Sequence, residues 1–126
     1  MTTLALVIVI GLLTALAVLQ LLVASGRPYG RFVWGGAHQV LPPRLRIGSA
    51  VSVLVYAGFA TLLLSRSGVL PGGRSGVVIV LTWVVFGYFA LGILLNAISR
   101  SPAERWTMTP ACLVLAASTL NIVLGA

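Results

Sequence analysis

The sequence predicts an all-α fold, a transmembrane four-helix bundle with an interfacial first loop, and three observations carry that prediction. Charged residues make up only 7% of the chain while 60% is hydrophobic, with a mean hydropathy of +1.14; soluble domains carry about a quarter charged residues because their surfaces face water. Four apolar stretches each approach the ~20 residues that a helix rising about 1.5 Å per residue needs to cross a bilayer. Gly, Pro or Arg bounds each stretch, as helix ends require. Strands are excluded: the stretches are too long, do not alternate, and would leave unpaired sheet edges in lipid.

One transmembrane domain is expected over residues 1–126. The first span is read over 4–25. Its leading "MTTLALV" has no basic residue, and the apolar run exceeds that of a signal peptide, so it is expected to be retained. The remaining spans are placed at 47–65, 77–99 and 109–126. All eight basic residues are arginines. Arg27, Arg31, Arg44 and Arg46 lie between spans one and two, Arg100 and Arg105 between spans three and four, and only Arg66 and Arg74 on the opposite side. Short loops rich in arginine stay cytoplasmic. Loops one and three are therefore expected inside and both termini outside, in a bacterial cytoplasmic membrane. The surplus positive charge is scattered among short loops with no soluble domain to hold a duplex, so nucleic acid is excluded as a partner. Anionic lipid headgroups are the expected counterions.

The first loop, "GRPYGRFVWGGAHQVLPPRLR", is longer than a helix hairpin needs and mixes Tyr29, Phe32 and Trp34 with arginines. Such a mixture suits the headgroup region as an anchor; the sharper alternative is a lid-like element over a binding site. Beneath it, Gln20, Ser49, Ser52, Asn96, Ser99, Thr109 and Cys112 form a polar layer. Tyr88, Gly92, Asn96 and Ser99 recur at helical spacing and share a face. Two readings stay open: interhelical hydrogen bonding, or a pocket for an anion or headgroup formed by Arg44, Arg46, Arg100 and Arg105 with Asn96 and Ser99. Asn121 lies about twelve residues beyond Thr109, roughly 18 Å deeper, and is expected to bond a neighbouring helix, with Thr82 as partner. The aromatic residues of spans two and three are read as packing or lipid contact, not as a cofactor box.

No cofactor, metal set or catalytic group is expected. His38 has no companion histidine, carboxylate or thiol to complete a coordination set, and Cys112 reads as a small hydrophobe in an apolar segment. Glu104 is the one acidic residue of the chain. Ser101-Pro102-Ala103-Glu104 reads as a capping box. The serine hydroxyl would accept from the third helical N–H, the glutamate would reach back to the serine N–H, and proline would sit where no donor is needed. Ser101 and Glu104 are thus assigned a structural role at the start of a short interfacial helix. Thr109-Pro110 is expected to restart or kink the chain into the fourth span.

"LNAISRSPAERWTMTP" and "LPPRLRIGSA" resemble segments of small four-span integral membrane proteins of GC-rich, actinobacteria-like bacteria, whose last helix starts on proline behind an Asn-x-x-Ser-x-Ser-x-x-Glu-Arg loop. The resemblance covers about two thirds of the chain and implies the four-span fold but no activity. The function expected is that of a small membrane protein without enzymatic activity, a structural or accessory component that binds anionic lipid or a larger membrane partner. The alternative is an oligomeric small-solute transporter or channel, not proton-coupled through an intramembrane acid.

Overall fold

A computed structural model describes residues 2–72 and 74–125, with Thr2 described by its backbone only. Four helices account for most of it: α1 (Thr2–Ala24), α2 (Pro43–Arg66), α3 (Gly76–Ala97) and α4 (Pro102–Gly125). Each is long and apolar enough to cross a membrane. The fold is thus the all-α four-helix bundle that the composition predicts. Each helix packs against its neighbours in chain order, and α4 closes the ring against α1. The expected end of the fourth span, Ala126, lies outside the described residues.

Two boundaries differ in instructive ways. Helix α2 begins four residues before the expected span, with Pro43 in its first turn and Pro42 extended at φ −65° and ψ 160°; proline is preorganised for that first turn and gives up no bond there. Helix α4 runs unbroken from Pro102 through Pro110, where a restart or a kink was expected, so the chain does not restart there. Proline removes a single rung of the ladder, and in apolar surroundings the remaining backbone bonds hold the helix together. The first turn of the expected interfacial helix is therefore the first turn of α4 itself.

Packing divides the bundle lengthwise. Val9 and Leu13 from α1, Leu63 from α2, Val85 and Phe89 from α3, and Leu115 and Ile122 from α4 form the main apolar core. A second, smaller cluster of Val23, Val33 and Leu41 seats the first loop against the end of α1. That loop makes two short 3₁₀ turns, Gly30–Phe32 and Trp34–Gly36. Gly30 donates to the Gln39 carbonyl oxygen at 2.8 Å, and a Cβ on Gly30 would run into the backbone carbonyl of His38. The loop is folded back across the arginine-rich end of the bundle and is not splayed outward.

Small polar side chains within the apolar half turn to nearby backbone. Thr82 donates to the Ile79 carbonyl oxygen of its own helix at 2.9 Å, which replaces the expected bond to Asn121: a threonine hydroxyl reaches the carbonyl one turn back without crossing to another helix. Ser65 donates to the Pro71 carbonyl oxygen at 2.7 Å.

Candidate functional site

Glu104 is where the structure departs furthest from the sequence reading. Continuing α4 backward from Leu115 through Cys112 and Met108 brings Glu104 onto the same inward face, and its side chain is only 7% exposed. Half of the capping box forms: the Glu104 N–H donates to Ser101 Oγ at 3.4 Å. The reciprocal half does not. The Ser101 N–H donates instead to Ser99 Oγ at 3.2 Å, and the Glu104 carboxylate accepts from the Gly35 N–H at 3.3 Å. The first loop, 69 residues away in sequence, outcompetes the serine amide because it is folded down over the helix start. Ser101 makes the same connection from its side, its hydroxyl donating to the Arg31 carbonyl oxygen at 2.6 Å.

Behind Glu104 lies a cavity of about 350 Å³. Helix α1 contributes Gln20 and Leu16, α2 contributes Ser52 and Tyr56, and α3 contributes Tyr88, Gly92 and Asn96. Helix α4 adds Glu104, Met108 and Cys112, and the first loop closes it with Phe32, Val33 and Trp34. The loop therefore forms a roof over this space. Two contacts place Trp34 there. Its indole N–H donates to Ser49 Oγ at 3.0 Å and its ring lies against Gly48. Its backbone takes a left-handed φ of 52°, a conformation that costs a non-glycine residue about 1 kcal/mol or more and persists only where surroundings enforce it.

The cavity's polar groups are unevenly satisfied. Asn96 Nδ2 donates to the Gly92 carbonyl oxygen at 2.8 Å and lies 3.3 Å from Cys112 Sγ, which fixes its amide and leaves its carbonyl oxygen over. A Cβ on Gly92 would stand 3.0 Å from Cys112 Sγ, so the missing side chain is what lets α3 and α4 approach at this level. Gln20 Nε2 donates to Tyr56 Oη at 3.5 Å. Its Oε1 is enclosed with no hydrogen-bond partner among the described residues, although the side chain is only 9% exposed. A buried amide oxygen left unpaired costs about 1–3 kcal/mol.

The arginines selected from sequence do not converge on this space. None of Arg44, Arg46, Arg100 or Arg105 lines it. Arg46 Nε caps α1 by donating to the Ala24 carbonyl oxygen at 2.8 Å, a natural use of a cation at a helix C-terminus. Arg105 donates to the Ser99 carbonyl oxygen at 3.3 Å and sits over the Trp106 ring. Arg44 and Arg100 are exposed at the same end. Ser99, beyond the end of α3, serves the connection to α4, and only Asn96 of the expected anion set reaches the cavity wall. Long arginine stems carry the charge out to helix ends and surface, while the short polar residues stay inside. His38 is exposed, and among the described residues no group of three His, Cys, Asp or Glu side chains gathers to hold a metal ion.

Sequence reasoning missed Gln20 and Glu104 as members of one site. The signal was present: Ala5, Val9, Leu13, Leu16, Gln20 and Val23 follow one helical stripe, as do Glu104, Met108, Cys112 and Leu115. Starting the fourth span at Thr109 severed the second stripe and left Glu104 in a separate, short interfacial helix. No known protein family, characterised protein or solved structure matches this chain.

Proposed function

We propose that this protein is a non-enzymatic, multi-pass membrane protein that binds a small molecule in the cavity at its arginine-rich end, under the roof of its first loop. One observation carries the reading: polar side chains from all four helices, Gln20, Tyr56, Asn96 and Glu104 among them, line one volume of about 350 Å³. That volume lies within the roughly 300–1,000 Å³ range of small-molecule sites. A bundle maintained only for packing would fill such a space with apolar side chains.

The test is to fill the cavity. Cys112→Phe introduces a ring next to Asn96 and Gly92, and native mass spectrometry of the purified protein compares what each form carries. The expected result is a bound small molecule or lipid on the wild type that is missing from Cys112→Phe, with helical content unchanged. Identical sets of bound molecules on the two proteins would refute the reading.

A second element of the proposal concerns the outer surface of the same end. Arg27, Arg31, Arg44 and Arg100 are exposed there, and Trp106 is 74% exposed beside them in α4. This combination supports a face set against anionic headgroups on the cytoplasmic side of a bacterial inner membrane. In a Cys112→Ala background, a cysteine introduced at Ser75 is expected to react with an impermeant reagent from outside, and one introduced at His38 to be protected. The reverse pattern would invert the topology.

A further inference from the structure

We infer that the cavity recognises a small amphiphilic cation, a protonated amine on an apolar body, with the Glu104 carboxylate as its counter-charge; this rests on the cavity being a ligand site. The lining supplies acceptors that a cation can use, alongside the Tyr56 and Tyr88 hydroxyls, which can either accept or donate. Glu104 brings two carboxylate oxygens, of which Oε2 takes the Gly35 N–H. The carbonyl oxygen of Asn96 is left over once its nitrogen is committed to Gly92 and Cys112. An ammonium group offers three donors and no acceptor, which matches that set.

Charge points the same way. The arginines of this end lie outside the lining, and the one carboxylate of the chain lies within it. A buried carboxylate is costly without an opposite charge or full hydrogen bonding, and an anionic ligand would add like charge at the same place. The walls are aromatic: Trp34, Tyr56, Tyr88 and Phe89 all face the space, and cations are attracted to such ring faces within about 6 Å.

The side opening indicates where the apolar body comes from. Of the neighbouring helix pairs, α2 and α3 make the slightest contact. Tyr88, Leu91 and Leu95 line the cavity from α3, yet they are 49%, 56% and 55% exposed on the bundle's exterior. The wall they form is open toward the membrane, so a molecule with an apolar tail can place its amine at Glu104 while its tail stays among lipid chains. A free amphiphilic amine and the headgroup of an aminolipid share this chemistry.

The experiment uses three probes of one shape and different charge, benzylamine, benzyl alcohol and benzoate, titrated against the full-length protein in phosphatidylcholine nanodiscs and followed by Trp fluorescence. The expected order is benzylamine at least ten-fold tighter than benzyl alcohol, with benzoate weakest. Glu104→Gln, which keeps an acceptor for the Gly35 N–H, should lose about ten-fold for benzylamine and leave benzyl alcohol unchanged. The wild-type ranking needs no variant, so a Glu104→Gln protein that failed to fold would not shield the inference. Benzyl alcohol or benzoate binding as tightly as benzylamine would overturn the cation assignment and leave the cavity as a site; no binding by any probe would overturn both. Competition by phosphatidylethanolamine in the nanodisc would identify the aminolipid headgroup as the source, and its absence the free amine.

Discussion

The two halves of this bundle use the same inward helical stripes for opposite purposes. Toward the end that carries the α2–α3 connection, the stripes present Val9, Leu63, Val85 and Ile122, all essentially fully buried. Toward the arginine-rich end they present Gln20, Tyr56, Asn96 and Glu104 around open space. A side chain in apolar surroundings contributes most through close packing, whereas interhelical hydrogen bonds in membrane proteins average only about 0.6 kcal/mol. The apolar half can therefore supply the fold's stability and leave the polar half free to be incompletely filled. Thr119 marks the limit of this division: it lies in the packed half, fully buried, with its hydroxyl unpaired among the described residues.

The sharpest way to break the comparison is to damage the packed half. Leu63 is completely buried, and Leu63→Ala removes contacts and leaves a cavity, for which about 2–5 kcal/mol is expected. Thermal unfolding in detergent should show a larger drop than for any single change in the polar half. A Leu63→Ala protein as stable as Asn96→Leu would remove the distinction. Next in size is the seat of the roof. Gly30→Ala forces a methyl group against the His38 carbonyl, and overpacking of this kind costs about 1–3 kcal/mol. Because Trp34 depends on the loop's path, its fluorescence should shift to the red; an unshifted spectrum would mean that the loop tolerates the intrusion and is not fixed by this contact.

How legible these halves were follows from the side chains themselves. Packed spans announce themselves by length and apolarity, which is why four helices and their approximate limits could be read directly. Polar residues inside them were visible too, and Asn96 was placed on an inward face. The arginines were weighted for their charge, but charge alone does not say where a long flexible stem will deliver it: Arg46 ends on the Ala24 carbonyl oxygen and Arg105 on that of Ser99. Glu104 was hidden by Pro110, a helix breaker in water whose effect is muted inside a membrane. The contact between Gly35 and Glu104 joins segments far apart in sequence, and no local pattern encodes it.

Smaller effects separate the members of the polar half. Glu104→Ala removes the acceptor for Gly35 and a favourable anion from the first turn of α4, a loss of about 1 kcal/mol on the scale of a single cap. Asn96→Leu gives up one bond to its own helix and a weak contact to Cys112, for which about 0.6 kcal/mol is expected. A loss several times larger would make Asn96 part of the fold's framework, and the division between halves would then have to be redrawn.

The smallest stability change is expected where the chemistry changes most. Glutamine at position 104 keeps the side-chain length, an oxygen to accept from the Gly35 N–H, and the backbone donor to Ser101 Oγ, and glutamine is an accepted residue at the third position of a helix. It loses only the negative charge near the positive end of the α4 dipole, worth about 0.3–1 kcal/mol at an exposed site, and it also relieves the desolvation of a buried carboxylate, which acts in the opposite direction. These contributions oppose each other, so the melting temperature of Glu104→Gln should stay close to that of the wild type and above that of Glu104→Ala. A bracing residue would show only this tolerance. A residue that holds a cation would show the same tolerance together with loss of benzylamine affinity. Measuring melting temperature and affinity on the same preparation separates the two roles. A glutamine variant destabilised as far as Leu63→Ala would place Glu104 with the packed half, and the carboxylate would then be part of what holds the bundle together.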